Sequence, residues 1–102
     1  MIKVSIKKCN GKILEVAING HAKYDDYGKD IVCAAVSSIS INSVNNILAL
    51  EESIEALDDS GFLKIRVLKE TDVNQKILDN LIYELSELKS QYPKNIEIRN
   101  EE

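Results

Sequence analysis

Residues 2–18 read IKVSIKKCNGKILEVAI, and this stretch predicts the β-hairpin on which the rest of the fold is built. Apolar residues at positions 2, 4 and 6 alternate with polar ones, which is the period of a strand buried on one face. The dipeptide Asn10-Gly11 is the strongest two-residue signal for a tight hairpin turn. A returning strand then covers residues 13–18. We expect three of its side chains to share the buried face: Leu14, Val16 and Ile18.

The pattern after the hairpin predicts two helices and three more strands. Asp30 is a good N-cap for a first helix over Ile31–Leu50, whose apolar residues fall on several faces. Strands are predicted at 53–57 and 62–68, a second helix from 71 or 72 to just before Pro93, and a last strand around 96–98. The sequence thus predicts a small α+β domain over residues 1–102. Its elements follow the order β-β-α-β-β-α-β, with a mixed sheet and two helices, one of them largely buried.

The composition excludes several classes of protein. The 102 residues include one His and two Cys, whereas a structural zinc site needs about four nitrogen or sulfur ligands. Two Cys do not make a disulfide framework. No continuous apolar run approaches the roughly 20 residues that cross a bilayer, and no signal peptide is evident. We therefore expect a soluble cytoplasmic protein with reduced thiols, without a metal or other cofactor and without a membrane partner.

The charge is acidic overall but unevenly distributed. The net charge is −4, yet residues 1–29 carry six Lys against three acids. An acidic total argues against general nucleic-acid binding. Two interpretations of the basic hairpin are open: a surface for phosphate or an acidic partner, or a strand face that is simply solvated. The basic residues concerned are Lys3, Lys7, Lys8 and Lys12.

His21 and Cys33 are the candidate catalytic residues. Cys33 falls in the first turn of the predicted helix, where the partial positive charge stabilises a thiolate and unpaired N–H groups can receive an oxyanion. A nearby His would supply the proton transfer that a thiol nucleophile needs. The alternatives are a small core Cys and a solvated His. Asp30 has two possible roles, as an N-cap or as a group that orients His21, although its charge would oppose thiolate formation.

Residues 20–37, GHAKYDDYGKDIVCAAVS, resemble the signature of the ribosomal-processing cysteine proteases of bacteria. The resemblance implies a homodimeric enzyme that removes a short N-terminal extension from large-subunit ribosomal protein twenty-seven. It places the family's catalytic His on His21 and its catalytic Cys on Cys33. Asp30 and Ser37 also match the motif, with less settled supporting roles. A non-enzymatic module that binds the ribosome is the alternative function.

Two glycines bracket the loop that carries His21. One hypothesis is that Gly20 and Gly28 let this loop move when substrate binds. The other is that each glycine only satisfies a turn. Ser37 lies one helical turn after Cys33 and is expected to face the same way.

Overall fold

A computed structural model describes residues 1–20 and 30–101, and its elements follow the predicted order. The α+β fold class is therefore confirmed, as is the first helix with its predicted bounds. The elements are β1 (Ile2–Cys9), β2 (Lys12–Asn19), α1 (Ile31–Leu50), β3 (Ile54–Asp59), β4 (Phe62–Val67), α2 (Asp72–Gln91) and β5 (Ile96–Glu101).

The five strands form one mixed sheet in the order β3-β4-β2-β1-β5. The pair β1–β5 is parallel, and the other three pairs are antiparallel. Alternate side chains of the strands join those of α1 and α2 in one hydrophobic core, and the two helices pack against each other. Charged side chains such as Lys3, Lys7 and Arg66 alternate with the buried ones and are exposed to solvent.

The first hairpin has the predicted turn but not the predicted register. Asn10 and Gly11 both have positive φ, 50° and 77°, as a tight hairpin turn of this kind requires. The register then shifts between Lys7 and Lys8, so β2 contains one extra residue at this bulge. As a result Ile13 is 1% exposed and Leu14 is 43% exposed. The prediction that Leu14 shares a face with Val16 and Ile18 is wrong, because the bulge turns Leu14 to solvent.

The bulge is held by a side chain from α2. The Ile13 N–H donates to Oε1 of Gln75 at 2.8 Å, and Nε2 of Gln75 donates back to the Ile13 carbonyl at 2.9 Å. The Gln75 amide therefore pairs with Ile13 as a neighbouring strand would. Gln75 is 7% exposed, and its Nε2 also donates to Oδ1 of Asn74.

We predict that Gln75→Ala lowers the free energy of unfolding by about 2–4 kcal/mol. The substitution leaves a buried N–H and a buried carbonyl unpaired, and each costs roughly 1–3 kcal/mol. Urea denaturation measures the loss. Gln91→Ala is the matched control, because Gln91 is exposed at the end of the same helix. We expect that variant to stay within about 0.5 kcal/mol of wild type. Equal midpoints for the two variants would show that the contact is dispensable.

The start of α2 is fixed by a capping box. The Thr71 hydroxyl accepts from the Asn74 N–H at 3.0 Å, and the Asn74 side chain accepts from the Thr71 N–H at 3.2 Å. The Thr71 hydroxyl also donates to Glu51, at the end of α1. Hydrogen bonds from Ser53 and Thr71, together with the charge of Lys69, hold the pKa of the Glu51 carboxyl below its usual value. The cap thus ties the end of α1 to the start of α2.

The prediction that one helix is largely buried is wrong for α1 in the single chain, because only one side of the helix enters the core. Val32, Val36 and Ile47 are among its buried residues, whereas Ile31 and Leu48 are 55% and 48% exposed. By length and a mean hydropathy of 1.5, α1 is also long and apolar enough to cross a membrane. A core helix of a soluble domain satisfies the same criteria, so this property alone is weak evidence for a membrane span.

Candidate active site

A cavity of about 980 Å³ opens beside the first half of α1. The β3–β4 turn and the adjoining ends of β1, β2 and β4 form its other walls. Its described lining residues are Ile2, Ile18, Gly20, Asp30, Cys33, Ala34, Val36, Ser37, Ser40, Ile41, Asp58, Asp59, Ser60, Gly61, Phe62 and Leu63. The cavity is therefore mostly apolar, with a small number of polar groups placed along α1 and the turn.

Four of the predicted site residues line this one cavity. Gly20, Asp30, Cys33 and Ser37 come together there, although they are spread over 18 residues of sequence. Cys33 is the third residue of α1 and is partly buried, while Ser37 is exposed one turn further on. The other two predicted residues, His21 and Gly28, lie outside the described residues.

The second cysteine occupies a different part of the molecule. Cys9 is the exposed last residue of β1, at the hairpin turn. Cys9 is not among the described residues that line the cavity. Of the two thiols, Cys33 is therefore the one placed to meet a ligand in the cavity.

Asp30 is the N-cap of α1, as predicted. Its Oδ1 accepts hydrogen bonds from the Val32 N–H at 2.9 Å and from the Cys33 N–H at 3.0 Å. The cap fixes the first turn and thereby the position of the Cys33 backbone. It also occupies two of the N–H groups that we had expected to receive an oxyanion. An oxyanion formed at Cys33 therefore needs other donors, or an opening of the cap. A role for Asp30 in orienting His21 remains a prediction.

Gly20 has a backbone position that only glycine fits. Its φ is +98°, and its N–H donates to the Gly61 carbonyl at 2.8 Å. A Cβ added to Gly20 would lie 2.5 Å from the Met1 carbonyl oxygen. This contact involves backbone rather than a flexible side chain, so the chain itself would have to shift. The close approach is a structural reason for glycine at position 20, and it is independent of any movement of the loop.

We predict that Gly20→Ala costs more than any other glycine-to-alanine change in the first hairpin region. The positive φ costs roughly 1–2 kcal/mol, and displacing the Met1 backbone adds roughly 1–3 kcal/mol. Gly11→Ala is the control, because Gly11 also has a positive φ (+77°) but has nothing within 4 Å of its added Cβ. Chemical denaturation and peptide cleavage are measured on both variants. If the two lose equal stability, the contact with Met1 carries no cost.

The charged groups at the cavity are acidic. Within the described lining these are Asp30, Asp58 and Asp59, and no Lys or Arg is among them. Asp59 is held by the β3–β4 turn, where its Oδ1 accepts from the Ser60 N–H at 2.7 Å. In residues 1–20 and 30–101 no group of three or more His, Cys, Asp or Glu is placed to hold a metal ion. Asp58 and Asp59 are exposed and give this edge of the cavity a negative charge, whereas Asp30 is half-buried in its N-cap.

Ser40 lines the cavity but was not among the predicted site residues. It is 1% exposed, and its hydroxyl has no hydrogen-bond partner among the described parts of the chain. Its position seven residues after Cys33 puts it on the same face of α1, two turns further along. This spacing from Cys33 is the signal in the sequence by which Ser40 could have been found.

A partly buried cysteine at the start of a helix, in the wall of an apolar cavity, is an arrangement suited to a thiol hydrolase. Comparison with known proteins agrees. The family model described as Cysteine protease Prp matches residues 1–97. The chain belongs to this family of ribosomal-processing cysteine proteases and is a cysteine protease, not the binding module left open above.

Relatives in two bacteria carry the same name, Ribosomal processing cysteine protease Prp. The protein of Staphylococcus aureus strain Mu50 is 36% identical over 92 residues, which cover 86% of this chain and 87% of the relative. The protein of Bacillus subtilis strain 168 is 25% identical over 107 aligned residues, covering 96% of each chain.

Solved structures share the whole fold. The crystal structure of the essential Prp of Staphylococcus aureus with a covalently linked product peptide superposes with a TM-score of 0.94 at 35% identity, covering 99% of this chain and 100% of that one. The same protease with a substrate peptide gives a TM-score of 0.84 at 32% identity, again over 99% and 100%.

Proposed function

We propose that this chain is an endopeptidase that removes the N-terminal extension of large-subunit ribosomal protein twenty-seven, with Cys33 as nucleophile and His21 as general acid and base. The observation that carries the proposal is the position of Cys33, in the first turn of α1 and in the wall of the cavity. A helix N-terminus favours the thiolate form, which is the attacking species.

The neighbours of His21 in the sequence support its pairing with Cys33. Gly20 precedes His21 directly, and Gly20 lines the same cavity as Cys33. Asp30, at the other end of the segment 21–29, lines the cavity as well. The chain also contains no other His, so a Cys–His pair within one subunit has to use His21.

The proposed reaction proceeds in two halves. The Cys33 thiolate attacks the scissile carbonyl carbon, and the tetrahedral intermediate collapses as His21 gives a proton to the leaving amine. The extension is then held as a thioester on Cys33. His21 takes a proton from water, the hydroxide attacks the thioester, and the extension leaves with a new carboxylate while Cys33 returns to its thiolate. The mature ribosomal protein is the amine product of the first half.

Two observations support a basic ribosomal substrate. The relatives are named for ribosomal processing, and the Staphylococcus aureus protease has been crystallised with substrate and product peptides. The acidic rim at Asp58 and Asp59 offers charge complementarity, because proteins that bind ribosomal RNA are rich in Lys and Arg.

The direct test is a cleavage assay. A peptide that spans the junction between extension and mature protein is incubated with the enzyme, and the products are read by mass spectrometry. We expect one cut at the junction, and none in a peptide of the same composition in scrambled order. An intact junction peptide under conditions where the enzyme is folded would overturn the proposed substrate.

The proposal includes a homodimer in the cytoplasm. The α1 helix leaves three large apolar side chains exposed in the single chain, and we propose that a second subunit covers them. They are Ile31, Leu48 and Leu50, at 55%, 48% and 68% exposure. Light scattering during gel filtration measures the mass, and we expect about twice the 11.4 kDa of one chain. A mass of one chain at micromolar concentration would exclude the dimer.

A further inference from the structure

The hydroxyl of Ser40 is a buried polar group in the cavity wall that the proposed reaction does not use. Ser40 is 1% exposed, and its hydroxyl oxygen has no hydrogen-bond partner within residues 1–20 and 30–101. A buried hydroxyl without a partner is rare in folded proteins, because burial without a hydrogen bond is unfavourable. Such a group requires an explanation, and a ligand that completes its hydrogen bonding is one.

A nearby serine shows that the orphaned state is particular to Ser40. Ser43 is also buried on α1, at 6% exposure, and its hydroxyl donates to the Ile39 carbonyl one turn back at 3.0 Å. Ser43 belongs to the groove between α1 and α2 rather than to the described lining of the cavity. Of these two buried serines of α1, the one without a hydrogen-bond partner in the described residues is therefore the one that lines the cavity.

We propose that Ser40 forms the hydrogen-bonding floor of a specificity subsite that takes a neutral side chain with a terminal amide or hydroxyl from the peptide substrate. This inference rests on the proposed protease function and deepens it. The apolar residues Val36, Ile41 and Leu63 line the same cavity as Ser40. A charged side chain would lose its favourable hydration there. A neutral polar side chain loses less hydration free energy and gains one hydrogen bond to Ser40.

Helix geometry sets the distance of this subsite from the scissile bond. Seven residues of α-helix separate Cys33 from Ser40, about 10 Å along the axis, and both lie on one face. An extended peptide advances about 3.3 Å per residue. A substrate strand that follows α1 therefore places a residue about three positions from the scissile bond against Ser40. Exposed Ser37 and half-buried Ile41 flank this position, and rotamer changes of such side chains commonly accompany binding.

The test separates binding at the subsite from cleavage. The junction peptide is made with single substitutions at each of the four positions on either side of the scissile bond. At each position one peptide carries Gln and a second carries Met, which has a similar shape but no amide group. Calorimetry gives the Kd of each peptide on Cys33→Ala, which cannot turn them over, and on the same variant with Ser40→Ala or Ser43→Ala added. Thermal unfolding checks that Ser40→Ala folds, and we expect no loss of stability because no hydrogen bond is removed.

We expect Gln to bind about 3- to 10-fold more tightly than Met at one position. Ser40→Ala abolishes that preference, and the matched control Ser43→Ala keeps it. The inference is overturned if no position prefers Gln, if no peptide binds, or if the preference survives Ser40→Ala, which would mean that the hydroxyl only packs against its own helix. Cleavage of the unsubstituted peptide by the wild-type enzyme decides the proposed function independently of these Kd values.

Discussion

Replacing Cys33 with alanine is expected to lower kcat/KM for the junction peptide by at least about 1,000-fold, since loss of a catalytic nucleophile in comparable enzymes costs between 10³ and 10⁶. The reason is chemical: without a thiolate no thioester forms, and only the orientation of the peptide in the cavity remains. The fold should survive, because Cys33 is only partly buried and alanine is a good helix former.

The control for this prediction is the second thiol of the chain. Cys9→Ala removes an exposed sulfur at the hairpin turn and should leave cleavage within about twofold of wild type. Iodoacetamide labelling adds a second measurement, and we expect Cys33 to be alkylated faster than Cys9 below pH 8. Retention of full cleavage by Cys33→Ala or Cys33→Ser would remove Cys33 from the mechanism.

Replacing His21 with alanine should lower kcat/KM by about 10²–10⁴-fold, the usual contribution of a positioned general acid and base. The kcat/KM of the wild-type enzyme should change with pH in the range where histidine residues titrate. This part of the pH dependence should be absent in His21→Ala. Because His21 is the only His in the chain, no other histidine side chain can cause this pH dependence.

Added imidazole provides the decisive control for His21. A small imidazole molecule can take the vacated space and restore proton transfer, so we expect part of the lost activity to return in His21→Ala but none in Cys33→Ala. A His21→Ala enzyme that keeps more than about a tenth of the activity would contradict the assignment.

Local sequence signals predicted most of the elements because each signal acts within a few residues. The positive φ values of Asn10 and Gly11, the N-cap at Asp30 and the capping residue Thr71 all lie where the sequence indicated. Four residues of the motif also line one cavity in the structure. These features depend on backbone preferences and on hydrogen bonds that are made locally.

Features that depend on distant contacts were not predictable. The bulge that exposes Leu14 is paired with Gln75, 62 residues away from Ile13, and on a helix a glutamine gives no sign that it will be buried. The parallel pairing of β1 with β5 likewise joins the two ends of the chain. Ser40 was not predicted, because it is distinguished by a buried hydroxyl without a hydrogen-bond partner in the described residues. Sequence patterns do not show which hydroxyl groups lack a partner.

The Asp30 cap bears on which electrophiles should inhibit the enzyme. A peptide aldehyde forms a hemithioacetal whose oxygen must be stabilised by N–H donors, and the Val32 and Cys33 amides already donate to the Asp30 carboxylate. A haloacetamide alkylates sulfur in one displacement and develops no such oxygen anion. Inhibitors that alkylate Cys33 by displacement therefore do not need the Val32 and Cys33 N–H groups. Inhibitors that add the Cys33 thiolate to a carbonyl group need another hydrogen-bond donor for the oxygen that forms.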